Sequence, residues 1–593
     1  MCGILAWFGA DGTDVPLDGL HAALERMRRR GPDDSGFWHE DGVVLGHRRL
    51  AILDLDHRAA QPMFSSCGRY GIVYNGEIYN FRQLRDELGA RSVIFRTTSD
   101  TEVILELFAR EGEAMLPKLQ GMFAFVIWDR AEKRAFIARD AYGIKPLYIA
   151  RCAGGLLVGS QVRALLASGQ VSREADLGGQ AKFWMLGSVP EPHTWYRDIE
   201  ALPAGHFGWI ESGRSKVRRW CDIAQAWHSE PAPAKVDVQE CVRAALLESV
   251  SRHQVSDVPV GLFLSGGIDS CALARLMMET GAVDLQCITL AYDEFAGQHD
   301  DEAPVAAQFA ARNGMQHVVR RVGEHEFFED LPRIVAAMDQ PSVDGINTWY
   351  ASKAAAERGL KVVVSGVGGD ELFMGYSSFR RLPRLLAMRR LAGMIPGAAA
   401  GIASLGRWKA KRSGNPRWRH LGDWTTTIQR AWWLTRGVFA PEELAGVMGE
   451  EAAREALSGF DVDGCVDGIS GQLPNDPKLA LAQIESTAYL RNQLLRDSDW
   501  ASMDHSVELR TPLVDTTLLQ ALSPLFPRFA MHPGKRLLAH APSNPLPTEI
   551  VARSKTGFGI PIGRWMAKRW SRPVSRWAAA WTKELVPLYE SSA

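Results

Sequence analysis

The hydrophobic pattern changes rhythm once along this chain. From Met1 to about Gly213, short apolar runs such as YGIVYN, GMFAFVIWD and RAFIARD alternate with glycines and aspartates, which predicts strands; LHAALERMRRR and TEVILELFAR carry helical periodicity. The pattern is that of a mixed, layered α/β unit over 1–213. A proline-rich stretch around HSEPAPAKVD reads as a linker, placed at 214–235. From Val236 to the end (236–593) helices alternate with short apolar strands, VGLFLSGG, LQCITLAY and LKVVVSGVGG. That alternation predicts a doubly wound parallel sheet with its ligand at the strand C-termini. Past Phe379 the chain turns helical and irregular, rich in Arg and Trp up to about Gly437. It ends on SRWAAAWTKELVPLY, an amphipathic helix expected to pack on the C-terminal domain.

Composition narrows the partners. A chain of 593 residues is too long for one core and fits two or three domains. Lys plus Arg (68) balance Asp plus Glu (69), so no global field favours nucleic acid or an anionic membrane. The basic clusters RRLPRLLAMRR and RWKAKR read as solvated helix faces. No apolar run reaches the roughly 20 residues a bilayer span needs, and MCGILAWFGA lacks the basic leader of a signal peptide. Eight cysteines without a CxxC pair argue against a zinc site or a disulfide framework and fit a reducing cytoplasm. Small molecules are the expected partners, and the oligomeric state stays open, a homodimer among the options.

Two glycine turns carry the candidate chemistry of the second domain. In VPVGLFLSGGIDS, Ser265, Gly266, Gly267, Asp269 and Ser270 stand between a buried strand and a helix, where glycines and free helix N–H groups can cradle phosphate. The lysine of a GxxxxGK[ST] loop is missing, so a Walker-type site is not expected. VVVSGVGGDELFMGY repeats the design with Ser365, Gly366, Asp370 and Glu371. Facing one crevice, Asp269 and Asp370 could share a magnesium ion that bridges the phosphates of ATP. Lys555, in RSKTGFGIP, offers a point charge for pyrophosphate.

SGGIDS, SGVGGDELFMGY, ASMDHSVELRTPLVD and RSKTGFGIP, in this order, resemble the ATP-pyrophosphatase half of glutamine-dependent asparagine synthetases. The resemblance implies that a carboxylate attacks the α-phosphate of ATP to give an acyl-adenylate and pyrophosphate, and that ammonia then displaces AMP. It also implies that Phe263, Leu290, Ser365 and Gly366 hold the adenosine part. Ser265, Gly266, Gly267, Asp269 and Ser270 would hold pyrophosphate with Lys555, and Mg2+ would sit on Asp269 and Asp370.

Ammonia needs a source, and Cys2 is the candidate. Alone, a cysteine in an apolar run is usually a small core residue. With Met1 removed it would carry a thiol and a free α-amino group of reference pKa about 7.7–8.0, a nucleophile and its base in one residue. RRRGPD, HRRLAILD, YNGEIYN and TSDTEVI resemble the motifs of the class II, N-terminal-nucleophile glutaminases, which implies an αββα sandwich. An amide carbonyl under attack needs donors for its oxyanion, a role that suits Asn75 and Gly76. Arg49 suits the α-carboxylate of glutamine, and Asp100 with the Glu77 region suits its ammonium. Leu50, Ile52 and Leu53 complete the glutamine-binding set that the resemblance implies.

One position departs from the pattern. Where asparagine-forming members carry an acid in the second glycine turn, this chain has Val367, which accepts no proton. The expected function is glutamine-dependent asparagine synthesis from aspartate. The alternative is amidation of another carboxylate, such as a secondary metabolite or a sugar acid of a surface polysaccharide. Asp344, Asn347 and Thr348 are the polar candidates for the acceptor.

Overall fold

The computed structural model describes residues 2–10, 13–553, 559–570 and 576–592. Twelve strands build the N-terminal part: β1 (Gly3–Gly9), β2 (Asp34–Glu40), β3 (Val43–Arg49), β4 (Met63–Phe64), β5 (Tyr70–Ile78), β6 (Gly121–Asp129), β7 (Arg134–Arg139), β8 (Tyr148–Cys152), β9 (Gly155–Gly159), β10 (Ile199–Ala201), β11 (His206–Glu211) and β12 (Arg214–Arg219). They form two six-stranded antiparallel sheets, ordered β10-β8-β9-β1-β3-β2 and β12-β11-β7-β6-β5-β4.

The pleat explains the layers. Alternate residues of β1 point to opposite faces. Ile4, Ala6 and Phe8 join Val73, Ala124, Val126 and Ile137 of the other sheet in one core. Leu5 and Trp7 face the opposite way, onto Leu20 and Leu24 of the helix Leu17–Arg26. Helices Phe81–Gly89 and Asp100–Glu111 cover the second sheet through Leu84, Val103 and Leu107. The result is the expected αββα sandwich.

Strand β12 lies inside the stretch expected as linker. It pairs with β11 and forms the exposed edge of the second sheet. Its sequence, RSKVRR, has no apolar alternation because neither face is buried, so the strand pattern is silent there. Its charges suit an edge strand, since they oppose pairing with other chains.

The C-terminal part holds a five-stranded parallel sheet: β13 (Val260–Phe263), β14 (Gln286–Tyr292), β15 (Gln316–Val322), β16 (Val362–Val364) and β17 (Glu508–Arg510), ordered β15-β14-β13-β16-β17. The order reverses between β13 and β16, and a crevice opens at such a switch point beyond the strand ends. The Arg- and Trp-rich region is helical, as expected, with helices Ser378–Ala392, Ala398–Ser413 and Ile428–Arg436. The final helix, Trp577–Ser592, buries Trp581, Leu585 and Tyr589. It also touches the N-terminal part, because Arg163 donates to the Tyr589 carbonyl at 3.3 Å.

The two parts share buried charges. Arg30 binds Asp499 through two bonds, 2.7 and 3.0 Å, and Arg510 lies 2.6 Å from Glu508 and 3.8 Å from Glu77. Burial, with the Glu508 and Asp100 charges, holds the Glu77 carboxyl well above its ordinary value, and Arg510 opposes this. Removing one partner of a buried pair leaves an uncompensated charge, at about 3–5 kcal/mol. Arg510→Met is therefore expected to lower the urea midpoint of the full chain by an equivalent amount. An unchanged midpoint would show that Glu77 and Glu508 do not depend on Arg510.

Candidate active sites

The first site lies at the start of β1. The Cys2 side chain is buried, and its backbone nitrogen donates to Asn75 Oδ1 at 2.9 Å. Arg30 Nε donates to the Cys2 carbonyl at 3.1 Å, so the buried Arg30–Asp499 pair also fixes this residue. Burial pushes the Cys2 thiol up, against the pull of the Leu50 backbone and Arg49, and Glu77 pushes it up further.

Asn75 sits in β5 with its amide oxygen on Cys2 and its Nδ2 buried without a hydrogen-bond partner among the described residues. A buried unsatisfied donor is costly, and in a functional site it marks a place kept for a ligand. Glycine is required next to it. A Cβ on Gly76 would land on the Met122 carbonyl and 2.7 Å from Phe123 Cα.

The remaining predicted residues divide. Asp100 opens its helix under a Ser99 cap, and its Oδ2 accepts from the Tyr74 hydroxyl (2.9 Å) and the Ile78 N–H (3.0 Å); burial pushes the carboxyl up to about 6. Arg49 is turned onto the loop that follows it, donating to the carbonyls of Asp56 (3.0 Å), Leu53 (3.5 Å) and Asp54, so it braces the segment that carries Leu50, Ile52 and Leu53. Leu50 and Ile52 pack against Val362 and Met503 of the C-terminal part, and Leu53 joins the core under the second sheet. The Ile52 carbonyl accepts from the Asp257 N–H at 3.1 Å, so this segment is tied to the C-terminal part through its backbone as well. Glu77 faces Arg510.

The second site is a cavity of about 2430 Å³ at the end of the parallel sheet. Phe263, Ser265, Gly266, Gly267, Asp269, Ser270, Leu290, Ser365, Gly366 and Asp370, all expected from sequence, line it. The first turn is tied by the Ser265 and Ser270 hydroxyls, 2.9 Å apart, with Gly267 N–H donating to Ser265 Oγ at 3.2 Å. Gly267 then caps the helix Ile268–Glu279, so free N–H groups face the cavity. The second turn packs on the first: a Cβ on Gly366 would stand 2.8 Å from Asp269 Cβ. Ser365 N–H donates to the Arg510 carbonyl at 2.8 Å, which anchors this turn to β17.

Sequence reasoning missed the lysine that joins the turns. Lys535 Nζ pairs with Asp269 and lies 2.8 Å from Asp370 Oδ1. Burial pushes its ammonium down, but the two carboxylates outweigh it and hold it well above its ordinary value. The only signal was a lysine beside a glycine in HPGKRLL. Lys555, expected here, lies outside the described residues. A pair of hard carboxylates already gathered around a cation is a donor set that fits Mg2+.

Further along the wall, Val367, Asp344, Asn347 and Thr348 line the same cavity with Glu371, Tyr376, Arg436 and Tyr489. The Tyr376 hydroxyl donates to Glu371 at 2.7 Å. Burial and the Asp370 charge push Glu371 up to about 7. Arg436 lies over Tyr489 and donates to Glu485 at 2.8 Å.

Similarity to known proteins agrees with both halves. Residues 1–221 match the glutamine amidotransferase domain family, and residues 241–589 match asparagine synthase. A Mycobacterium tuberculosis protein provisionally named asparagine synthetase (glutamine-hydrolyzing) is 32% identical over 95% of this chain and 88% of its own length. Asparagine synthetase (glutamine-hydrolyzing) 1 of Bacillus subtilis is 29% identical, with the same coverage. A Penicillium rubens protein named amidase chyE is 30% identical over 64% of this chain and 60% of its own length. No helix among the described residues is long and apolar enough to cross a membrane. With a cysteine-headed amidotransferase unit and a twin-glycine-turn synthase unit in one chain, the protein belongs to the asparagine synthetase family, glutamine-hydrolysing ligases that use ATP.

Proposed function

We propose that the chain makes asparagine from aspartate in two coupled sites, a glutaminase unit over 1–213 and a synthetase unit over 236–593. The observation that carries this reading is the contact of Cys2 with Asn75 in one unit and the gathering of Asp269 and Asp370 on Lys535 in the other. With Met1 removed, the Cys2 nitrogen on Asn75 Oδ1 becomes an amine beside its own thiol. It takes the thiol proton; sulfur attacks the glutamine amide, Asn75 Nδ2 and Gly76 N–H hold the oxyanion, and the amine passes its proton to the amide nitrogen as the C–N bond breaks and ammonia leaves a thioester. Water then frees glutamate. Arg49, Asp100 and the backbone from Leu50 to Leu53 hold the glutamine.

In the synthetase unit Phe263, Leu290, Ser365 and Gly366 hold the adenosine. The Ser265–Ser270 turn and Lys535 hold the phosphates, with Lys555 as a further phosphate ligand. Asp269 and Asp370 would hold Mg2+, which neutralises phosphate charge when bound. The acceptor carboxylate attacks the α-phosphorus and pyrophosphate leaves. Ammonia then attacks the acyl carbon, AMP departs, and a proton must be removed from nitrogen. Val367 cannot take it; among the carboxyls that line the cavity, Glu371, which accepts from the Tyr376 hydroxyl, is assigned this role.

Val367 is also what favours a second reading, the same mechanism on a different carboxylate. A panel of carboxylates incubated with ATP, Mg2+ and amide-15N glutamine separates the two. The first reading predicts labelled asparagine with matching AMP release; turnover with a sugar acid or another carboxylate but not aspartate would sink it.

A further inference from the structure

The chain balances charge overall, yet from Leu372 to Gly422 it carries eleven Lys or Arg and no Asp or Glu. Among the described residues, no basic side chain between Arg380 and Arg412 forms an ion pair, so no carboxylate neutralises this charge, although Arg380 and Arg389 donate to backbone carbonyls and Lys409 and Arg412 lie over Trp418 and Trp408. The same stretch gathers exposed apolar side chains. The helix Ser378–Ala392 turns Phe379, Leu382 and Leu386 inward and leaves Met388 and Leu391 exposed. Just past the end of this helix Met394 and Ile395 are exposed as well, Met394 at 74 %. The next helix, Ala398–Ser413, buries Gly406 and Ala410 and exposes Leu405 and Trp408 among Arg407, Lys411 and Arg412.

We propose that this pair of helices seats the protein on an anionic bilayer surface. Apolar side chains with a tryptophan, flanked by uncompensated cations, match an interface with hydrocarbon below and phosphate headgroups above. A nucleic acid would meet the cations but give Met388, Leu391, Met394 and Ile395 nothing to enter. A two-fold dimer through this face would set the basic charge against its own copy. The helices fall short of spanning, so the seating is peripheral. Arg380, Arg381, Arg384 and Met388 also line the large cavity, so the first of these helices borders it.

The test is sedimentation of the full chain with vesicles. Binding is expected with phosphatidylglycerol in the bilayer and not with pure phosphatidylcholine, and it should weaken as salt rises. L391S/M394S/I395S should cut the bound fraction about tenfold, and R389E/R390E likewise. Unchanged glutaminase rate and unfolding midpoint would show that the variants fold. No binding to anionic vesicles overturns the proposal, as does equal binding by the variants. It also fails if duplex DNA binds more tightly than vesicles and ignores L391S/M394S/I395S, or if those residues drive self-association instead.

Discussion

Cys2→Ala is expected to lower glutamine-driven synthesis about a thousandfold or more while synthesis from added ammonium salts stays at the parent level. The reason is the separation of the two sites. Cys2 contacts Asn75 and Arg30, whereas the phosphate turns contact Lys535 and the Arg510 carbonyl. Removing one sulfur from a small buried residue should leave the sandwich folded, since Ile4, Ala6 and Phe8 still fill the core. Rates with glutamine and with ammonium, measured on one preparation, decide the matter. Retained glutamine use would place the nucleophile elsewhere, and loss of both activities would mean that the variant damages the shared interface.

Asp269→Asn is expected to lower both glutamine- and ammonium-driven synthesis about a thousandfold, close to 4 kcal/mol of barrier, while glutamine hydrolysis persists. Asp269 touches both phosphate turns, through the close approach of Gly366 and through Lys535, which it shares with Asp370. The amide is nearly isosteric, so packing against Gly366 survives and the lost charge is the variable. Pyrophosphate exchange into ATP reads the effect directly. Exchange at the parent rate would remove Asp269 from the phosphate site.

The sites were legible in sequence where chemistry is concentrated in contiguous motifs. SGGIDS and SGVGGDELF each place a glycine turn after an apolar strand, and the switch between β13 and β16 brings them together as that pattern expects. What stayed hidden depends on contacts between distant segments. Lys535 is 266 residues from Asp269, and nothing in HPGKRLL announces a carboxylate partner. Glu508 and Arg510 stand inside the motif ASMDHSVELRTPLVD, but nothing in that motif shows that Glu77 of the sandwich will lie 3.8 Å from Arg510. Strand β12 was hidden for the opposite reason: with both faces exposed it has no apolar period. The basic clusters after Phe379 are exposed, as their reading as solvated faces expects; the exposed Met, Leu, Ile and Trp side chains among them became visible only in the fold.

The central claim is that one chain couples glutamine hydrolysis to adenylation of a carboxylate. It is tested most directly by supplying the acceptor with 18O in its carboxyl group, together with ATP, Mg2+ and glutamine, and recording where the oxygen goes. Attack on the α-phosphorus, followed by ammonia at the acyl carbon, leaves one labelled oxygen on AMP for each amide formed. Label in inorganic phosphate, with ADP as the second product, would contradict the account.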